Sequence, residues 1–241
     1  MDIRGRGAVV TGGSQGLGKA LAFALAKRGA RVVVTARNDV ELERVAEEIR
    51  RAVGEAHAFS GDVADPGLIH PLAASAAALV GDIDILIHDA STLGPLPMPL
   101  LLDTECEDFS AVLETNLVGP FRLTRRIAAS MALRKRGAVV FLSSDAAVNA
   151  YPSWGAYGVS KAALDHLARS FAAELADTGV RFLSIDPGEM NTKMHADALP
   201  DADVTTLADP RSVACSIVEM IESEARAANG TRLLAANWSQ K

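Results

Sequence analysis

Strand-like and helix-like segments alternate along this chain from end to end, and that alternation restricts its fold more than any other feature. Short apolar runs rich in Val, Ile and Leu fall at Gly7 to Thr11, Arg31 to Thr35, Ala56 to Ser60, Ile83 to His88, Ala138 to Ser143, Arg181 to Ile185 and Thr231 to Ala235. Between them Ala20 to Ala26, Glu41 to Val53, Pro66 to Leu79, Cys106 to Arg134, Ala156 to Thr178 and Pro210 to Ala227 carry helical apolar spacing. Seven strands separated by crossover helices predict a parallel sheet covered on both faces, a doubly wound α/β domain. The 241 residues, 49% of them hydrophobic, suffice for one such domain over 1–241. The segment 189–207 lacks periodicity and reads as a substrate loop.

Charge and cysteine content exclude several function classes. The formal net charge is −6 and no basic block interrupts the mixture of signs, which argues against a nucleic-acid partner. Residues 1–6 lead straight into the first strand without a secretory apolar region, and no run reaches membrane-spanning length, so a cytoplasmic protein without a membrane partner is expected. Cys106 and Cys215 are too few for a disulfide framework, and the five histidines show no ligand spacing, so no metal is expected.

Two local patterns carry chemistry. After the first strand, Gly12-Gly-Ser-Gln-Gly16-Leu-Gly18 opens a helix, and glycines there let the backbone approach a pyrophosphate while the helix N-terminus favours its charge. Farther on, Tyr157 and Lys161 stand four residues apart, on one helix face, with Ser144 upstream at the end of an apolar run. An ammonium beside a phenol favours phenolate and brings the tyrosine toward acid/base work near neutral pH.

With these motifs in order, the chain resembles the short-chain dehydrogenase/reductase family over nearly its whole length. The resemblance implies a single Rossmann-like domain and hydride transfer between a nicotinamide and a ketone or secondary alcohol. Tyr157 would be the general acid/base and Lys161 would lower its pKa and hold the nicotinamide ribose. Ser144 would bond the substrate oxygen, and Asn116 would fix a water that relays protons. It also implies cofactor contacts from Gly12, Ser14, Gln15, Gly16, Leu17 and Gly18 in the turn, Asp62 and Val63 at the adenine, Asp89 and Ala90 after the fourth strand, and Pro187, Gly188, Met190 and Thr192 on the nicotinamide side. Homodimers or homotetramers built on the two long helices are implied as well.

The end of the second strand indicates which nicotinamide is used. Ala36 stands where an acidic residue would bind the NAD ribose, and Arg37, followed by Asn38, can clamp a 2′-phosphate, so NADP(H) rather than NAD(H) is expected. One departure is His88-Asp89-Ala90-Ser91, where the family has Asn-Asn-Ala-Gly; an ionised Asp89 accepts hydrogen bonds but cannot donate them. The substrate pocket is expected from Leu93, Ala146, Tyr151, Trp154, Glu189 and Met194, with Thr92, Leu96, Met190 and His195 near them. Two other readings are weighed. One is a nucleotide-binding sensor without turnover; the other, suggested by Trp154-x-x-Tyr157 and Ser91-Thr-Leu-Gly94, is a pteridine ketone reductase of the sepiapterin reductase branch.

Overall fold

The computed structural model describes residues 1–238, and the expected domain extends three residues beyond them. The strands are β1 (Gly7–Thr11), β2 (Arg31–Ala36), β3 (Glu55–Ser60), β4 (Ile83–His88), β5 (Gly137–Leu142), β6 (Val180–Asp186) and β7 (Arg232–Leu234). They form one sheet, parallel throughout, in the order β3-β2-β1-β4-β5-β6-β7. The helices are α1 (Gly16–Lys27), α2 (Asp39–Ala52), α3 (Ile69–Val80), α4 (Cys106–Leu113), α5 (Gly119–Leu133), α6 (Gly155–Glu174), α7 (Lys193–Ala198) and α8 (Pro210–Glu222).

Burial explains why the strands read as continuous apolar runs. Every residue of β1, β4 and β5 is buried, because helices cover both faces of the sheet centre. Ala8 and Val10 point into a layer with Leu21, Leu42 and Ile217 of α1, α2 and α8, while Val9 points the other way onto Leu72, Leu123 and Leu164 of α3, α5 and α6. The edge strands β3 and β7 are only partly covered. The chain runs outward from β1 to β3 and then returns to lay β4 on the other side of β1. Loops therefore diverge between the carboxyl ends of β1 and β4, the place where such sheets open a crevice.

Two expected elements differ. The run Cys106 to Arg134 is not one helix: Glu114–Val118 forms a wide π-type turn between α4 and α5. That turn buries Asn116 and brings Gly119 so near the Val63 carbonyl that a Cβ would stand 2.4 Å from it. The segment 189–207 is not a featureless loop either. It contains α7, capped by Thr192 accepting from the His195 amide, and its ends are tied to each other by Ala208 N to Glu189 O (3.1 Å) and Asn191 N to Ala208 O (3.0 Å).

Candidate active site

The glycine turn is built to bring backbone close to a ligand. A Cβ on Gly18 would lie 2.3 Å from the Gly12 carbonyl oxygen, and one on Gly12 would lie 2.7 Å from the Ala90 amide nitrogen, so only glycine fits at either position. Thr11 fastens the neighbouring loop, its hydroxyl accepting from the Asp89 amide (3.2 Å) and the Ala90 amide (3.1 Å). At the start of α1, Gln15 makes no side-chain cap and the first turn holds no acid; the Gly18 amide is taken by the Asp89 carboxyl, which leaves the Gly16 and Leu17 amides available to an anion.

The crevice that begins there collects most of the expected cofactor residues. Gly12, Ser14, Gln15, Gly16 and Leu17 form its floor, Arg37, Asn38, Asp62 and Val63 one end, and Asp89, Ala90, Met190 and Thr192 the other side. Arg37 is exposed at the rim and makes no ion pair among the described residues. Asn38 has a second task, since its side chain accepts from the Glu41 amide (3.1 Å) and starts α2. Gly18 and Lys161 do not line the crevice: Gly18 lies beneath the turn and Lys161 is 3% exposed.

A second cavity of about 590 Å³ adjoins the first and shares Met190, Thr192 and Met194 with it. Ser144 and Tyr157 stand in its wall with Pro187 and Gly188, and Leu93, Tyr151, Trp154, Glu189, Met194 and His195 line it as expected. Three expected substrate residues lie elsewhere. Ala146 packs behind the wall against Leu93 and Tyr157, Leu96 is 50% exposed on the surface, and Thr92 faces the first crevice. Asp145, Asp186 and Leu199 line the cavity without having been anticipated.

Tyr157 and Lys161 do share a face of α6, with the ammonium 5.5 Å from the phenol ring centroid. The expected electrostatics do not follow. Burial holds the phenol above its usual value, the carboxylates of Asp89, Asp186 and Asp145 add to this, and only the Ser144 hydroxyl pulls the other way. The lysine is the group that responds to burial in the useful sense, falling to about 8 although Asp89, Asp165 and Asp186 hold it up. Its ammonium donates to the Leu142 carbonyl (2.7 Å), which places it under the site instead of in the crevice.

Asn116 also differs from expectation. Its carbonyl oxygen accepts from the Thr92 amide (2.8 Å) and the Ser91 hydroxyl (3.1 Å), and its amide donates to the Thr92 carbonyl (2.9 Å) and the Ser160 hydroxyl (2.9 Å). Every hydrogen-bonding position of the side chain is used, so the carboxamide braces the loop after β4 against α6 and has no site left for a relaying water. Ser160 completes the brace by donating to the Tyr157 carbonyl (2.6 Å).

Ser144 donates to Asp145 (3.1 Å), whose other oxygen accepts from the Tyr151 hydroxyl (2.8 Å). Trp154 meets Tyr157 edge-on, with ring centroids 5.7 Å apart. Tyr151, through Asp145, and Trp154 therefore hold Ser144 and Tyr157 in place.

The departure at Asp89 has a physical consequence. Its carboxyl accepts from the Gly18 amide, yet burial pushes it up to about 7 against the pull of Lys161 and of that bond. Beside it His88 falls to about 3 through burial and the Lys161 charge, so it is a neutral ring, bonded to Thr124 (2.8 Å) and stacked on Phe141. A carboxyl raised on folding binds its proton more tightly in the folded chain, so stability falls as pH rises from 3.8 to about 7 and the full penalty persists above. Asp89→Asn is accordingly expected to raise the Tm by ~2–8 °C at pH 8 and to change it little at pH 4. Equal shifts at the two pH values in thermal melts would refute the assignment.

The parallel sheet with its glycine crevice, and the Ser, Tyr and Lys gathered at the carboxyl ends of β5 and α6's first turns, define an oxidoreductase that works with a nicotinamide nucleotide. The sequence profile of the short chain dehydrogenase family matches residues 6–203, and the chain belongs to that family. A short chain dehydrogenase of Pseudocercospora fijiensis is 35% identical over 210 residues, spanning 85% of this chain and 65% of that protein's length. Among solved structures, an actinorhodin polyketide ketoreductase with NADPH superposes with a TM-score of 0.87 at 27% identity, covering 94% of each chain. A 7α-hydroxysteroid dehydrogenase complexed with NADH and 7-oxo glycochenodeoxycholic acid gives 0.88 at 27% identity, covering 100% of this chain and 97% of that one.

Proposed function

We propose that this protein is an NADP(H)-dependent reductase of a ketone, or dehydrogenase of the matching secondary alcohol, with Tyr157 as general acid/base. The observation that carries the reading is the meeting of Ser144 and Tyr157 in one wall, where a cavity of substrate size joins a crevice floored by an uncapped helix start. The glycines that exclude a Cβ and the free Gly16 and Leu17 amides at the start of α1 fit a dinucleotide's pyrophosphate. When bound, the nicotinamide supplies or accepts the hydride.

The remaining work falls to this chain's own side chains. In reduction Tyr157 gives its proton to the substrate oxygen as negative charge develops there, and the Ser144 hydroxyl stabilises that charge by a hydrogen bond. Lys161, 5.5 Å from the phenol ring centroid, supports the wall from beneath, with its ammonium on the Leu142 carbonyl. The apolar lining from Leu93, Trp154, Met190 and Met194 excludes water around the exchange. A homodimer or homotetramer through α5 and α6 agrees with the exposed apolar residues Phe121, Leu133 and Val159 on those helices. Among the described residues no helix is long and apolar enough to cross a membrane.

Solved relatives are seen with NADPH or with NADH, so the choice rests on residues of this chain. Arg37 supports NADP(H): it is free of ion pairs at the crevice rim, and Ala36 before it offers no carboxylate to a ribose. Arg37→Ala should raise the NADPH dissociation constant by ~10-fold or more, the scale of one charge-assisted fork, with the NADH constant nearly unmoved. Nicotinamide fluorescence titrations of both proteins decide this, and equal constants before and after the change would defeat the NADP(H) reading.

A further inference from the structure

Arg232 sits on β7, the three-residue edge strand, far in sequence from every motif of the site. Its guanidinium nevertheless reaches three parts of that site at once. Nε donates to Asp165 Oδ2 (3.0 Å), and Nη2 donates both to Asp186 Oδ2 (2.9 Å) and to the backbone carbonyl of Ser144 (2.9 Å). Asp165 and Asp186 are 3% and 5% exposed.

Each acceptor belongs to a different wall. Asp165 follows Lys161 by one helical turn and Tyr157 by two, so it lies on the face of α6 that presents both; it is tied to β6 as well by the Ser184 hydroxyl. Asp186 ends β6, and its second oxygen accepts from the Gly188 amide (2.9 Å), which shapes the Pro187-Gly188 turn. The third acceptor is the carbonyl of Ser144 itself, whose hydroxyl also accepts from the Ala146 amide (3.2 Å).

We propose that Arg232 is a positioning residue of the active site, a single guanidinium that fixes Ser144, the Pro187-Gly188 turn and the Tyr157 face of α6 relative to one another. Two buried carboxylates held by a partly buried cation are a poor device for stability alone, because apolar residues of similar volume often serve as well or better. What they provide is direction. A planar fork satisfies three acceptors only in one arrangement, and a lysine, with a single point of charge, cannot reproduce it. An error of about 1 Å in a catalytic wall is enough to lower turnover ~10²-fold.

The inference rests on the proposed reductase activity for its kinetic arm and on the fold alone for its other arm. In the intact protein, Arg232→Met is expected to lower kcat for carbonyl reduction ~10–100-fold, with the NADPH dissociation constant changed less than ~3-fold. Amide hydrogen exchange should quicken together at Ala146 and Gly188, two amides on different loops, bonded to Ser144 and Asp186, both of which Arg232 holds. Arg232→Lys, which retains the charge, should show the same pattern in weaker form and serves if the methionine variant does not fold.

Adding Asp165→Asn to Arg232→Met removes one unpaired buried carboxylate and should recover the Tm without recovering kcat. Recovery of kcat in step with the Tm would overturn the proposal, since it would make Arg232 a stabilising residue only. Unchanged exchange at Ala146 and Gly188 in a folded Arg232 variant would overturn it too. Should the unmodified protein reduce no carbonyl compound, the activity reading falls, and the exchange arm still decides the role of Arg232.

Discussion

Tyr157→Phe is expected to lower carbonyl reduction ~10²–10⁴-fold, the usual scale for removing a positioned general acid, while NADPH still binds. The substitution deletes one oxygen and leaves the ring. Phenylalanine keeps the edge contact with Trp154 and the packing on Leu93 and Ala146, so the folded state has no reason to change. The direction of the pH dependence follows from burial. With the phenol held above its ordinary value, the protonated form needed for reduction persists through the neutral range, and the phenolate needed for alcohol oxidation becomes commoner as pH rises. Steady-state rates in both directions across pH, for both proteins, test this. A Phe variant within ~10-fold of the unmodified protein would remove Tyr157 from the mechanism.

Asn116→Ala should act on stability and turnover together. The change strands four partners, the Thr92 amide and carbonyl and the hydroxyls of Ser91 and Ser160, in a region where Asn116 is 1% exposed. Buried groups left without a partner cost roughly 1–3 kcal/mol each, though the hydroxyls can turn to other acceptors, so a loss of ~2–4 kcal/mol is expected. In a chain of this size that is a Tm lower by ~4–16 °C. Because Ser160 also holds the backbone of Tyr157, turnover should fall even at temperatures where the variant is fully folded. A variant that melts early and yet turns over normally at low temperature would confine Asn116 to a structural role.

Much of this was readable from residue order. The runs at Gly7 to Thr11 and Ile83 to His88 coincide with β1 and β4, since central strands buried on both faces are uninterrupted apolar stretches with sharp ends. Tyr157 and Lys161 were legible because four residues on a helix is a local relation. The wide turn at Glu114–Val118 was not, for Glu, Thr, Asn, Leu and Val fit an ordinary helix, and only the approach of Gly119 to the Val63 carbonyl and the partners of Asn116 distinguish it. α7 is not legible because six residues are too few for periodicity to show. The direction of the Tyr157 shift is hidden for a related reason. Spacing reveals a neighbouring cation, whereas burial and three nearby carboxylates belong to the tertiary structure. Arg232 had no local signal at all, its partners lying 46, 67 and 88 residues away.

The tied ends of the segment over the substrate cavity bear on how such a chain diversifies. Glu189 and Asn191 are joined to Ala208 through backbone alone, so no side chain between them is needed to close the loop. Met194, His195 and Leu199 hang from that closed loop into the cavity, while Ser144 follows β5 and Tyr157 and Lys161 stand on α6. Part of the cavity lining is thereby written in a stretch of the gene separate from the one that carries Ser144, Tyr157 and Lys161. A library randomised at Met194, His195 and Leu199 alters that lining while Ser144, Tyr157, Lys161 and the groups that hold them are inherited unchanged.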